Sequence, residues 1–157
     1  MGYTMSILLA RIDDRLIHGQ ITEGWGKRLK PDLIVVVSDK ISRSEWECDI
    51  CLAALPSSIR GQIVSVEDAP GVINRLLDDH ENAYVLFESP RDAWKTVKNG
   101  ARLSEVNVGG MHSIRGKRRI LDFVFVDDAD VTCLKTLRDA GVKLDFRDLP
   151  DRESVNV

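Results

Sequence analysis

The residues best suited to chemistry lie together near the start of the chain, in the run Arg11-Ile12-Asp13-Asp14-Arg15-Leu16-Ile17-His18-Gly19-Gln20. His18 is the candidate nucleophile. Imidazole attacks only when neutral, and its ordinary pKa of about 6.5 leaves it mostly neutral at cytoplasmic pH. A phosphoryl group held there brings negative charge, which Arg11 and Arg15 can neutralise with planar side chains of several donors each. Gly19 lets the backbone approach closely, and the amides that open a helix at Gln20 point at an anion with the helix dipole behind them. A carboxylate of Asp13 or Asp14 can orient the ring by holding the proton on its other nitrogen. The plainer reading is a charged surface loop with a capping histidine. His80, in the polar turn DDHEN, reads as solvent-exposed; His112 follows Gly109-Gly110-Met111 after a strand and can approach the same rim.

Positioning such a loop requires a frame, and the pattern along the chain supplies one. Strand-like runs fall at 7–12 (ILLARI), 33–38 (LIVVVS), 62–66, 83–88 (AYVLFE), 105–109, 120–126 (ILDFVFV) and 143–149. Several are almost continuous in Val, Ile and Leu, as expected of strands covered on both faces. Helices alternate with them. Ser44-x-x-Glu47 reads as a capping box for a helix over 46–54, Ser89-Pro90 as an N-cap followed by a first-turn proline. Asp127 or Asp128 opens a helix ending at Ala140, where Gly141 offers the left-handed stop. A helix over 20–29 carries Ile21, Trp25 and Leu29 on one face, weakened by Gly24 and Gly26. The fold class this implies is α/β, a single domain over 1–157. It is an open, mostly parallel twisted sheet of about seven strands with helices on both faces. Ligands of such sheets sit outside the carboxyl ends of the strands, where the His18 loop falls.

Composition narrows the function classes. The hydrophobic fraction of 43% and charged fraction of 30% describe a folded domain, and the net charge of −3 argues against nucleic acid as the main partner. No apolar run reaches the roughly 20 residues that span a bilayer, and no secretory signal is visible, so a cytoplasmic location is expected. The basic run RGKRR at 115–119 reads as a solvated turn before a strand. Three cysteines form no disulfide framework, and Cys48-x-x-Cys51 falls within a helix, so these thiols read as small core-facing groups.

The run RIDDRLIHGQITEGWGKRL resembles the signature R-I-D-x-R-x-x-H-G-Q of IIB components in the mannose/fructose/sorbose family of the sugar phosphotransferase system. Arg11, Ile12, Asp13, Arg15, His18, Gly19 and Gln20 all match. The likeness continues through Ser38-Asp39, Pro56, the stretch VNVGGM at 106–111 and Leu149-Pro150-Asp151. Departures lie at 39–50, and at Ser38 where an acid is usual. The resemblance implies a phosphocarrier: His18 takes a phosphoryl group at Nδ1 from a phosphorylated IIA protein or domain. It then passes the group to a sugar, usually at its 6-hydroxyl, on the membrane IIC/IID pair. His18 is thus the catalytic residue; Arg11, Arg15, Gly19 and Gln20 bind phosphate, with Asp13 and Asp14 in support. No cofactor, metal or nucleotide is implied, and the expected place of work is the inner face of the membrane. Asp39, Ser89, Met111 and His112 are the expected rim around His18. The family sheet carries one antiparallel strand, and Met5 offers a second start. Two rivals stand beside this reading. A histidine phosphatase needs an arginine just before its histidine, where this chain has Ile17; a non-catalytic IIB-like binding module would have no reason to keep Arg11, Arg15 and His18 together.

Overall fold

The computed structural model describes residues 7–112 and 115–157, so the alternative start at Met5 lies outside it. Six strands form one sheet: β1 (Ile7–Asp13), β2 (Leu33–Val37), β3 (Arg60–Val64), β4 (Ala83–Phe87), β5 (Glu105–Gly110) and, late in the chain, β8 (Lys143–Phe146). Their order is β3-β2-β4-β1-β5-β8, and every pairing is parallel. The central runs LIVVV and AYVLF are buried at every position because both faces are covered. Leu33, Val35 and Val37 join Ile73, Leu76, Ala93, Leu134 and Leu137 in one core. Those helical residues come from α4 (Ala69–Asp79), α5 (Pro90–Lys98) and α6 (Asp128–Asp139). Ile34 and Val36 face the other way, against Tyr84, Leu86, Ile21 and Trp25. The period of two along each strand thus fills two cores at once.

The expected helix over 20–29 is present in altered form. Gln20–Trp25 winds as a π-helix and continues into α1 (Gly26–Leu29), ended by Lys30 in the left-handed region. Residues four apart stay aligned in the wider coil, so Ile21 and Trp25 remain buried together. After β2 come α2 (Asp39–Ser42) and α3 (Glu45–Ala53). The Ser44 hydroxyl accepts from Glu47 N, but the reciprocal half of the expected capping box is absent: Glu47 pairs with Lys40, and Ser44 N donates to Ile41 O. The full box occurs at Asp127 and Asp130 instead. Helix α4 carries no side-chain cap, and the local mark of its start is Pro70 in the first turn.

The run 120–126 is not one sheet strand. It breaks at Asp122-Phe123 into a hairpin of β6 (Arg118–Leu121) and β7 (Val124–Val126), a turn-favouring Asp interrupting the apolar pattern. Met111 N donates to Phe123 O and Phe125 N to Met111 O, which hangs the hairpin on the end of β5. The antiparallel strand implied by the resemblance is reduced to this hairpin and a single bridge between Phe146 and Val155. The basic run is a turn leading into β6, with Lys117 paired to Asp130 and Arg118 to Asp128.

The Ser89 hydroxyl accepts from Asp92 N at 3.2 Å and caps α5, and no site side chain depends on it. Ser89→Ala is therefore expected to cost about 1 kcal/mol in urea unfolding, while the chemistry of His18 is unchanged.

Candidate active site

The loop from β1 is built around one carboxylate. Asp13 ends the central strand, is fully buried, and its Oδ2 accepts from three side chains. These are Arg11 Nη2 at 2.9 Å, Arg15 Nη2 at 3.2 Å and His18 Nε2 at 2.8 Å. Its Oδ1 accepts from the backbone N and the Nε of Arg15. Burial alone would raise the Asp13 pKa; hydrogen bonds from His18 and Arg15 and the charge of Arg11 outweigh it and hold the carboxyl well below its usual range. Between the two expected orienting groups the geometry selects Asp13. Asp14 turns the other way and accepts from His112, at its backbone N (2.6 Å) and at Nδ1 (2.7 Å).

His18 is brought back over Asp13 by a backbone in an uncommon state. Leu16 has φ of 57°, the left-handed region that costs a non-glycine residue roughly 1 kcal/mol. Its side chain is buried with Ile17, Ile21 and Trp25, and that burial offsets the cost. The ring of His18 lies between groups of fixed role. Asp13 can only accept, and the Gln20 N–H, 3.3 Å from Nδ1, can only donate. The neutral imidazole therefore carries its proton on Nε2 and its lone pair on Nδ1.

The two arginines differ in accessibility. The side chain of Arg11 is 0% exposed and that of Arg15 is 37% exposed. Every N–H of Arg11 is committed: Nε and Nη2 to Asp13, Nη2 also to Gln20 Oε1, and Nη1 to Asn107 Oδ1 and Asp148 O. Burial pulls its pKa below the usual arginine value, with the Asp13 carboxylate acting in opposition. Arg11 thus has no donor left over for a phosphoryl group in this arrangement, contrary to the direct grip expected of it. Gln20 Oε1 also accepts from Arg15 Nη2 at 2.7 Å, so its side chain ties the two guanidiniums together. Gly19 is exposed with ordinary helical φ, and an added Cβ would meet open space. Nothing inside the domain requires a glycine there; only something approaching from outside would.

Several supporting residues are marked in the sequence for other reasons, Trp25 as a core residue and Asn107, Gly109 and Gly110 as part of a family-like stretch. Trp25 lies between Arg11 and Arg147, ring centroid 5.8 and 5.4 Å from their guanidinium carbons, and its Nε1 donates to Asp148 O. Asn107 bridges Arg11 to Asp145 and Arg147 O. At Gly109 a Cβ would fall on the Arg11 guanidinium, and at Gly110 it would crowd the Asp13 carboxylate. The signals were a polar residue and paired glycines inside a buried strand. Of the expected rim, His112 stands beside the site, while Met111 is buried beneath the hairpin, where the bonds to Phe123 and Phe125 hold it. The side chains of Asp39 and Ser89 are occupied as acceptors for the backbone N–H groups of Val66 and Asp92. His80 is exposed, as expected. Cys48 and Cys51 are half-buried free thiols of α3, and burial followed by the neighbouring Cys48 pushes the Cys51 thiol up, away from redox reactivity. Asp13, Asp14 and His112 bring ligand atoms within 4.8 Å of one another, but a cation there would face both arginines on Asp13. A cavity of about 590 Å³ lies at the amino ends of β1 and β5, and neither His18 nor Arg15 lines it.

The parallel sheet thus presents, at its carboxyl edge, a histidine oriented by a buried Arg–Asp pair. Residues 7–157 match the family model described as PTS system sorbose subfamily IIB component. The chain is 39% identical over 150 residues to the PTS system fructose-specific EIIB component of Bacillus subtilis strain 168, spanning 96% of this chain and 92% of that one. It is 35% identical over 143 residues to the PTS system mannose-specific EIIAB component of Escherichia coli K12, across 91% of this chain and 44% of the longer relative. The crystal structure of the IIBSor domain of the sorbose permease from Klebsiella pneumoniae superposes with a TM-score of 0.86 at 35% identity, covering 96% of this chain and 92% of that one. The chain belongs to the sorbose subfamily of IIB components of the sugar phosphotransferase system. Among the described residues no helix is long and apolar enough to cross a membrane.

Asp13→Asn should leave the buried Arg11 charge uncompensated and cost about 3–5 kcal/mol. The pH dependence follows from the sign of the shift. Because the folded pKa lies below the unfolded one, the stabilisation is complete above about pH 4 and is lost as pH falls further. Urea melts from pH 6 to pH 2 should show this acid loss in the wild type and a flatter profile in Asp13→Asn.

Proposed function

We propose that His18 Nδ1 is the phosphoryl acceptor of a protein-Nπ-phosphohistidine–sugar phosphotransferase, supplied by a phosphorylated IIA protein or domain. The observation that carries this reading is the fixed tautomer of His18, with its lone pair on Nδ1 and its proton on Nε2 facing Asp13. In the first transfer the Nδ1 lone pair attacks the phosphorus carried by the donor histidine. A new N–P bond forms, the old one breaks, and its electron pair returns to the donor imidazole. The ring of His18 gains positive character, which the Asp13 carboxylate offsets through the Nε2 proton. In the second, on the IIC/IID components, a sugar hydroxyl oxygen attacks the phosphorus and gives up its proton to water, and the N–P electron pair returns to Nδ1.

The arginines divide the labour. Arg15, half in solvent, turns toward the phosphoryl oxygens, and the Gln20 amide beside Nδ1 donates to them once the lone pair is used. Arg11 acts through Asp13 as a positioning residue. Gly19 leaves room for the donor to come close. A relative whose name joins IIA and IIB in one component supports a IIA partner. The work is done on the cytoplasmic side, with the chain held at the inner membrane face by IIC/IID. Donor and acceptor must both reach Nδ1, so they take turns on this rim.

Incubation with phosphorylated IIA followed by mass spectrometry tests the reading. Wild-type protein should acquire one acid-labile, base-stable phosphoryl group on His18, and His18→Ala none. Label on His80 or His112, or full labelling of His18→Ala, would defeat it. Arg15→Ala should slow transfer on the order of 10- to 1000-fold. Arg15→Lys should recover only part, because a point charge lacks the guanidinium fork.

A further inference from the structure

Helix α3 is apolar on both sides. Its inner side sets Cys51, followed by Leu55, against the cluster that also holds Ile17 and Ile21 under the phosphorylation loop. Its outer side carries Trp46 at 73% exposure and Ile50 at 54%, one turn apart, with Ala53 exposed in line with them. Large apolar side chains exposed side by side are the kind of patch that marks an interaction surface. Glu45 and Asp49 flank the stripe in solvent, and neither is in an ion pair among the described residues. The outer face therefore combines a large aromatic anchor with unneutralised negative charge, and the complementary surface is an apolar socket with a basic rim. Helices α2 and α3 follow the carboxyl end of β2, so α3 begins at the same sheet edge as His18.

We propose that this outer face of α3 anchors the chain to the Lys/Arg-rich cytoplasmic loops of its membrane-embedded acceptor. Cytoplasmic loops of membrane proteins carry an excess of Lys and Arg, the charge that Glu45 and Asp49 call for. The inference rests on the carrier reading above and adds a second contact to it. Donor and acceptor cannot occupy the His18 rim together. An anchor outside that rim keeps the chain on the membrane component while the donor comes and goes, and the second engagement becomes intramolecular.

The test uses inverted membrane vesicles with and without the cognate IIC and IID components, and two variants, Trp46→Ser/Ile50→Ser and Asp49→Lys. The wild type should bind the loaded vesicles in a salt-sensitive manner. Each variant should bind them at least about tenfold more weakly, yet take phosphate from phospho-IIA at the wild-type rate. Wild-type binding by both variants overturns the proposal. So do slowed labelling by IIA, which would make the donor the occupant, and equal binding to vesicles lacking IIC and IID. A dimer in sedimentation that the double variant dissolves points to a second copy and overturns it too. Loss in the double variant alone, with Asp49→Lys intact, overturns the basic character of the partner. If the double variant does not fold, the exposed single change Asp49→Lys decides the matter. An unlabelled His18 in the wild type defeats the carrier reading instead, and it appears before any vesicle is added.

Discussion

Everything at the carboxyl edge of the sheet answers to the buried carboxylate of Asp13. Taking Arg11 wholly out of water is tolerable only because Asp13 faces it and three further acceptors use its remaining donors. That requirement reaches across the fold. It fixes Asn107 on β5, the backbone of Asp148 beyond β8, Trp25 from the π-helix, and the missing side chains at 109 and 110. The parallel order that puts β1 between β4 and β5 lets all of them converge on one strand end. The pair is then less a source of net stability than a means of specifying one arrangement. Any shift of β5 or of the last loop would strand a buried charge.

From that fixed point the loop has little freedom. Leu16 accepts a left-handed backbone so that its side chain can sink into the core, and the turn returns His18 to Asp13. The π-helical coil starting at Gln20 then presents an amide to Nδ1. A left-handed residue and irregular helix geometry fall together around His18, whereas the other left-handed non-glycine residues among those described, Lys30 and His80, simply end helices and β2 and β4 stay regular.

How much of this was readable in the sequence depends on the range of the interaction. Strands of continuous Val and Ile, the Ser89-Pro90 start and the Asp127 cap are local signals, and each gave a structural element at or near its expected place. The His18 motif is likewise contiguous, so its membership could be read residue by residue. What could not be read is pairing at a distance. Nothing local distinguishes Arg11, with every donor committed, from Arg15, half in solvent; the difference lies in Asn107 and Asp148, far along the chain. The choice between Asp13 and Asp14 depends on His112. The run 120–126 misled because a single Asp is a weak break until the hairpin finds Met111. Helix α4 has Pro70 in its first turn but no side-chain cap, and a proline without a cap marks a turn as readily as a helix start.

The charge balance of the site bears on what a carrier must do. Both arginines pair with the one carboxylate of Asp13, while Asp14 is taken by His112, so part of the arginine charge beside His18 is already offset within the domain. A site with both guanidiniums free would bind a phosphoryl group firmly and hold it. Binding that favours the resting phospho-state as much as the transition state gives no gain in the rate of onward transfer. With Arg11 committed to Asp13, the donors that the proposed transfer could draw on are Arg15, tethered through Asp13 and Gln20, and the amide at Gln20. Under the carrier reading proposed above, the buried pair would serve two ends: orienting His18, and withholding one arginine from the phosphorylated product.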